Sequence, residues 1–231
     1  MRAAVVTAYV PLNVKHLDAA KYHEYGERLK AACDGRLIWF DNWPLTDCWL
    51  YKEVTDPEQY SPATPTPEDR YEKPSDHTKS NIVQHSRTQW ALLAKDVEPD
   101  VDVVVWLDLA ILKQGAFTGK QITEDHVREF LKKVESYPYN DIPFPGIEEK
   151  KEVLPHGNNW RFCGSTHIWP VKWLNEIDHQ YRFYTKEFIR RHSAMPLDLA
   201  IWPAVEEKSG LPFKWYKAEY DYTQLTEFPH G

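Results

Sequence analysis

At 231 residues, with 42% hydrophobic and 27% charged side chains, the chain is long and apolar enough to bury a sizeable core, which excludes a disordered polymer. Its net charge of −7 gives no general attraction to nucleic acid or to anionic membrane, and no run approaches the ~18 apolar residues of a spanning helix. Cys33, Cys48 and Cys163 form no CxxC pair, so they indicate neither a disulfide framework nor a zinc knuckle and read as reduced thiols of a cytoplasmic protein.

Ala3-Ala-Val-Val-Thr-Ala-Tyr9 reads as a short apolar strand, ended by Pro11 and Asn13. Asp18 is the expected N-cap of a helix through about Ala32, with Tyr22, Tyr25 and Leu29 at helical spacing. Gly35 closes that helix, and Arg36 to Phe40 forms a second strand ending at Asp41. Such a β-α-β unit predicts a parallel pair with a right-handed crossover. Residues 55–78 carry five prolines and read as a long irregular loop. Ser80 to Val97 is read as one helix, with Ile82, Val83, Trp90, Leu93 and Ala94 on its apolar side.

Val103-Val-Val-Trp-Leu107 then has the unbroken apolar character of a strand buried on both faces of a parallel sheet. It runs straight into Asp108. A charge there is costly unless it is paired, hydrogen-bonded or holding a cation. Thr123 caps a helix through about Ser136, and Tyr137 to Asn159 reads as a Pro-rich connection. Arg161 to Trp169 is expected as a strand broken at Gly164. Helices are expected over Val171–Asn175, Tyr181–His192 and Pro196–Glu207, the last with Pro203 an awkward fit, and Phe213–Lys217 as an edge strand. The whole, residues 1–231, is read as one α/β domain.

Several residues are candidates for chemistry. In open α/β sheets ligands bind at the carboxyl ends of the strands, which places Asp108 in such a crevice; the alternative is a strand-end carboxylate held by backbone N–H groups. Asp198, alone in the apolar run Met195-Pro-Leu-Asp-Leu-Ala-Ile-Trp202, is either a helix-start acid favoured by the macrodipole or a base whose apolar surroundings raise its pKa. Gly164 permits close backbone approach beside Ser165, Thr166 and His167. Lys79, His85 and Arg87 are grouped on the helix before the central strand, and Arg182, Lys186 and Arg190 recur every four residues as one basic stripe. No dinucleotide fingerprint, phosphate loop, HExxH or Gly-x-Ser-x-Gly is present.

Val-Val-Thr-Ala-Tyr9 near the start and Val-Trp-Leu-Asp108-Leu-Ala-Ile in the middle resemble GT-A-fold glycosyltransferases, and are similar to the HtrL/YibB-like group in particular. The resemblance covers most of the chain in outline. It implies an α/β fold with a mixed, mostly parallel sheet flanked by helices, and transfer of a hexose-type sugar from a nucleoside-diphosphate sugar to a hydroxyl acceptor, a glycan or another compound. It implies donor contacts at Thr7, Ala8, Tyr9, Lys79, Arg87, Asp108, Gly164 and Ser165, with Asp198 as the base for the acceptor hydroxyl. Mn2+ or Mg2+ would sit on Asp108, helped by His230. The chain departs from Asp-x-Asp at Ala110, which removes one expected metal ligand. Two alternatives stand beside this reading: transfer to a modified nucleic-acid base, and a non-catalytic nucleotide- or carbohydrate-binding protein on the same scaffold.

Overall fold

The computed structural model describes residues 1–12, 19–64, 71, 73–116, 119–148 and 161–229. Strand β1 (Ala3–Ala8) is followed by helix α1 (Ala19–Ala32) and strand β2 (Leu37–Phe40). Next come the short helix α2 (Trp49–Glu53), the two-residue strand β3 (Ser61–Pro62), and helices α3 (Pro74–His85) and α4 (Arg87–Val97). Strand β4 (Val103–Leu107) leads to helix α5 (Glu124–Ser136) and strands β5 (Ile142–Gly146) and β6 (Thr166–Pro170). Helix α6 (Val171–His192), strand β7 (Ala194–Met195), helix α7 (Asp198–Lys208), strand β8 (Phe213–Lys217) and helix α8 (Thr223–Thr226) complete the order.

The main sheet runs β2-β1-β4-β6. The first two pairings are parallel, and β6 runs antiparallel to β4, with Trp106 opposite His167 and Leu107 opposite Thr166. Alternation along the strands divides the core. Ala4, Val6, Val104 and Trp106 face the layer of α4, α6 and α7, whereas Ala3, Val5, Val103, Val105 and Leu107 face α1 and α5. Both faces of β4 are therefore covered, which is why its sequence lacks polar residues. Because β1 and β4 are parallel, Thr7 and Ala8 reach the same rim of the sheet as Asp108.

The fold class expected from the sequence is the one observed. Individual elements differ. The expected helix from Ser80 to Val97 is two helices meeting at Ser86, whose φ of −90° and ψ of 3° leave the helical range. The first of them already begins at Pro74, inside the expected loop; a proline is readily accommodated in a first helical turn. The two expected helices after Pro170 are one, because Leu174, Ile177, Tyr181 and Ile189 carry a single buried stripe through the gap. Residues 161–165 form a turn, and the strand starts only at Thr166. β5 was not anticipated: Pro143 and Pro145 disguise it, yet it pairs in parallel with β8 from Ile142–Phe213 to Gly146–Lys217. The expected cap Asp18 lies outside the described residues. No described helix is long and apolar enough to cross a membrane.

Candidate functional site

Asp108 stands directly after β4, half-buried at the carboxyl rim of the sheet. Its Oδ1 accepts the backbone N–H of Ala110 at 2.9 Å, and its own N–H donates to the Ser165 carbonyl at 2.8 Å. Ala110 thus contributes a backbone donor that orients Asp108.

The turn from Arg161 to Ser165 is held from several sides. Cys163 N–H donates to the Pro145 carbonyl at 2.8 Å, and Gly164 N–H donates to the Tyr220 hydroxyl at 3.1 Å. The Ser165 hydroxyl, 3% exposed, lies 2.6 Å from Gln224 Oε1 and 3.1 Å from Gln114 Oε1. Arg161 pairs with Glu206 at 2.7 Å. Ser165 is thus engaged in the framework that fixes the turn.

Beneath Gly164 lies a buried ion pair. Arg87, the first residue of α4, donates through Nη1 to Oδ2 of Asp198, the first residue of α7. Both side chains are inside the protein, and the guanidinium also sits 5.6 Å from the Trp106 ring centre. A Cβ at residue 164 would meet Arg87 Nη1 at 3.1 Å and Asp198 Oδ2 at 3.5 Å, so glycine lets the backbone roof the pair. Burial raises the Asp198 pKa, Arg87 opposes that rise, and the nearby charge of Asp108 adds to it. Asp198 Oδ1 and Arg87 Nε have no hydrogen-bond partner among the described residues.

A second set of buried polar groups supports the start of α7. His85 Nε2 donates to the Pro196 carbonyl at 2.9 Å, and its Nδ1 accepts from the Tyr181 hydroxyl at 2.7 Å, which fixes the tautomer. Burial pushes the His85 pKa down to about 4 and that of the enclosed His167 well below its ordinary value. Asn81, one helical turn before His85, is fully buried, and neither end of its amide has a partner among the described residues.

The named candidates therefore divide. Asp108, Gly164, Ser165, Arg87 and Asp198 converge at one rim, and Thr7, Ala8 and Tyr9 end the neighbouring strand there. Thr7 is fully buried, its hydroxyl without a partner among the described residues, while the Tyr9 ring packs on Tyr22 at 5.3 Å. Lys79 is not on the helix of Arg87; it lies on α3 and pairs with Glu58 at 3.2 Å. His230 lies outside the described residues. Sequence reasoning missed Asn81 and Tyr220. Asn81 had a signal, since His77, Asn81 and His85 fall four apart on one buried helix face; Tyr220 in its loop had none. Among the described residues no three His, Cys, Asp or Glu side chains are placed to hold a metal ion. The thiols are unreactive by position, burial raising Cys48 to about 11 and Cys33 to about 12.

No family model matches the chain, and no curated protein matches it in sequence. Among solved structures it is similar to a glycosyltransferase involved in the glycosylation of the major capsid of PBCV-1, with a TM-score of 0.51 and 10% identity over 94% of this chain and 81% of that one. At this identity the likeness shows a shared fold.

Proposed function

We propose that the chain is a glycosyltransferase that takes its sugar from a nucleoside-diphosphate sugar bound across the carboxyl ends of β1 and β4. The observation that carries this reading is the convergence of two carboxylates, Asp108 and Asp198, beside the turn of Gly164 and Ser165 at that rim. Fold likeness to a glycosyltransferase supports it. Ala8 at the end of β1 would lie along the nucleoside, with the enclosed Thr7 and Tyr9 behind it, and Gly164 and Ser165 would bring backbone close to the sugar. Lys79, tied to Glu58, would reach a donor only by leaving that partner.

Asp108 would offer a hard divalent cation one carboxylate, since Mg2+ or Mn2+ is commonly held by one or two carboxylates plus the substrate's phosphate oxygens. Such an ion would neutralise the leaving diphosphate. In transfer, the acceptor oxygen bonds to the anomeric carbon, the bond from that carbon to the diphosphate breaks, and the hydroxyl proton passes to Asp198. Burial raises the Asp198 pKa and so makes its carboxylate a stronger base, while Arg87 opposes that rise. Asp198 is fully enclosed, so the acceptor reaches it only after the residues covering the ion pair move.

Two substitutions test the reading together. Asp108→Asn retains an oxygen for the Ala110 N–H, so the fold should persist while thermal stabilisation by nucleoside diphosphates with manganese is lost. Asp198→Asn should preserve that stabilisation and lower sugar transfer ~100-fold or more. Wild-type nucleotide binding in Asp108→Asn would remove the donor site from this rim. Equal losses of binding and turnover in Asp198→Asn would make it a binding residue.

A further inference from the structure

The basic stripe of α6 takes part in none of the chemistry above, yet it borders a groove of about 390 Å³ between the end of α2 and the middle of α6. That volume falls in the ~300–1,000 Å³ range of small-molecule sites. Glu53, Asp178, His179, Arg182, Phe183 and Lys186 line it. The polar groups are fixed in advance. Arg182 pairs with Glu53 at 2.9 Å and with Asp178 at 2.8 Å, and its guanidinium lies 5.0 Å from the centre of the buried Trp49 ring. Lys186 pairs with the same Glu53 at 2.9 Å, and Asp178 accepts from the Thr88 hydroxyl at 2.6 Å.

Charge decides what kind of ligand this groove takes. The two cations and two carboxylates cancel, so neither an anion nor a cation gains net attraction without displacing a resident partner. Hydrogen-bonding capacity does not cancel. A guanidinium has five N–H donors, an ammonium three, and each carboxylate about four lone-pair sites, so donors and acceptors remain beyond those used in the pairs. Beside them Phe183, 48% exposed, presents an aromatic surface to solvent. A ligand whose hydroxyls both donate and accept, and whose C–H face suits the negative face of a ring, matches this combination.

We propose that the groove between α2 and α6 is a binding site for a neutral oligosaccharide, separate from the transfer rim. The ring of Phe183 covers the C–H face of one sugar, and Glu53, Asp178, Arg182 and Lys186 bond its hydroxyls. Because the groups are already held in place, little ordering is required on binding.

The site is tested on the whole chain by NMR titration with maltotriose, cellotriose and mannotriose, with inorganic phosphate and a short DNA duplex as anion controls. At least one trisaccharide should shift the amide signals of residues 53 and 178–186. Phe183→Ala, at an exposed position that leaves the core intact, should weaken that binding by about tenfold, the usual cost of removing an aromatic anchor. Asp108→Asn should leave it unchanged, so this site and the nucleotide site fail independently. Shifts at these residues from phosphate or DNA alone would make the groove an anion site. No shift from any trisaccharide, or an unchanged affinity in Phe183→Ala, would overturn the proposal.

Discussion

Two opposite charges, Arg87 and Asp198, are taken fully out of water and matched to each other. Desolvation of both ions offsets most of their attraction, so the pair adds little net stability, yet removing one partner leaves the other buried and unmatched. Arg87→Ala should therefore lower unfolding free energy by ~3–5 kcal/mol in urea titrations at neutral pH. Without Arg87 only the backbone N–H groups at the start of α7 oppose the burial that raises the Asp198 pKa, so that pKa rises further in the folded state. A folded pKa above the unfolded one gives stability that is present at low pH and lost as pH rises. The deficit of the variant should accordingly shrink on acidification; a deficit independent of pH would mean that Asp198 is not the group left uncompensated. The sequence showed Asp108 because a charge ends an apolar run. It did not show Arg87 as a core residue, since a cation reads as solvated until its partner, 111 residues away, is known.

At the scale of elements, local chemistry was legible where it was complete in a short window. Thr123 caps α5 through a reciprocal pair, its hydroxyl accepting from His126 N–H at 3.3 Å and its N–H donating to His126 Nδ1 at 3.2 Å. Thr123→Ala should cost ~1 kcal/mol by chemical denaturation, the typical value of such a cap; a change within error would show that packing of α5 on the sheet alone fixes the helix start. Elements defined by distant partners were not legible. β5 exists because β8, some seventy residues later, pairs with a strand whose alternate prolines leave no helix or regular alternation to see. The stripe of Arg182 and Lys186 was visible as a spacing, but Glu53, which pairs with both, belongs to another helix. The division of α3 from α4 rests on one non-helical residue, Ser86, whose hydroxyl donates to the Ile82 carbonyl at 3.2 Å and so satisfies the break from within.

Across the whole molecule, the layer of α3, α4, α6 and α7 holds an apolar core that encloses neutral histidines. His85 links α3 to Tyr181 of α6 and to Pro196 ahead of α7, and His167 of β6 packs against Trp202 of α7 at 5.1 Å. Burial lowers both pKa values in the folded state, that of His85 from 6.5 to about 4. The unfolded chain then binds more protons than the folded one across that interval, and stability falls as pH drops from about 6.5 towards 4. For His85 the difference amounts to about 3 kcal/mol, a large part of the ~5–15 kcal/mol that holds a typical domain together. Unfolding free energies measured in urea between pH 7.5 and 4.5, a range set by the ordinary histidine pKa of ~6.5, should decline steadily on acidification. His85→Gln keeps a donor for the Pro196 carbonyl but has no site to protonate. It should begin less stable at neutral pH and lose clearly less than wild type on the way down. Two parallel curves would mean that the acid sensitivity of this layer comes from groups other than His85.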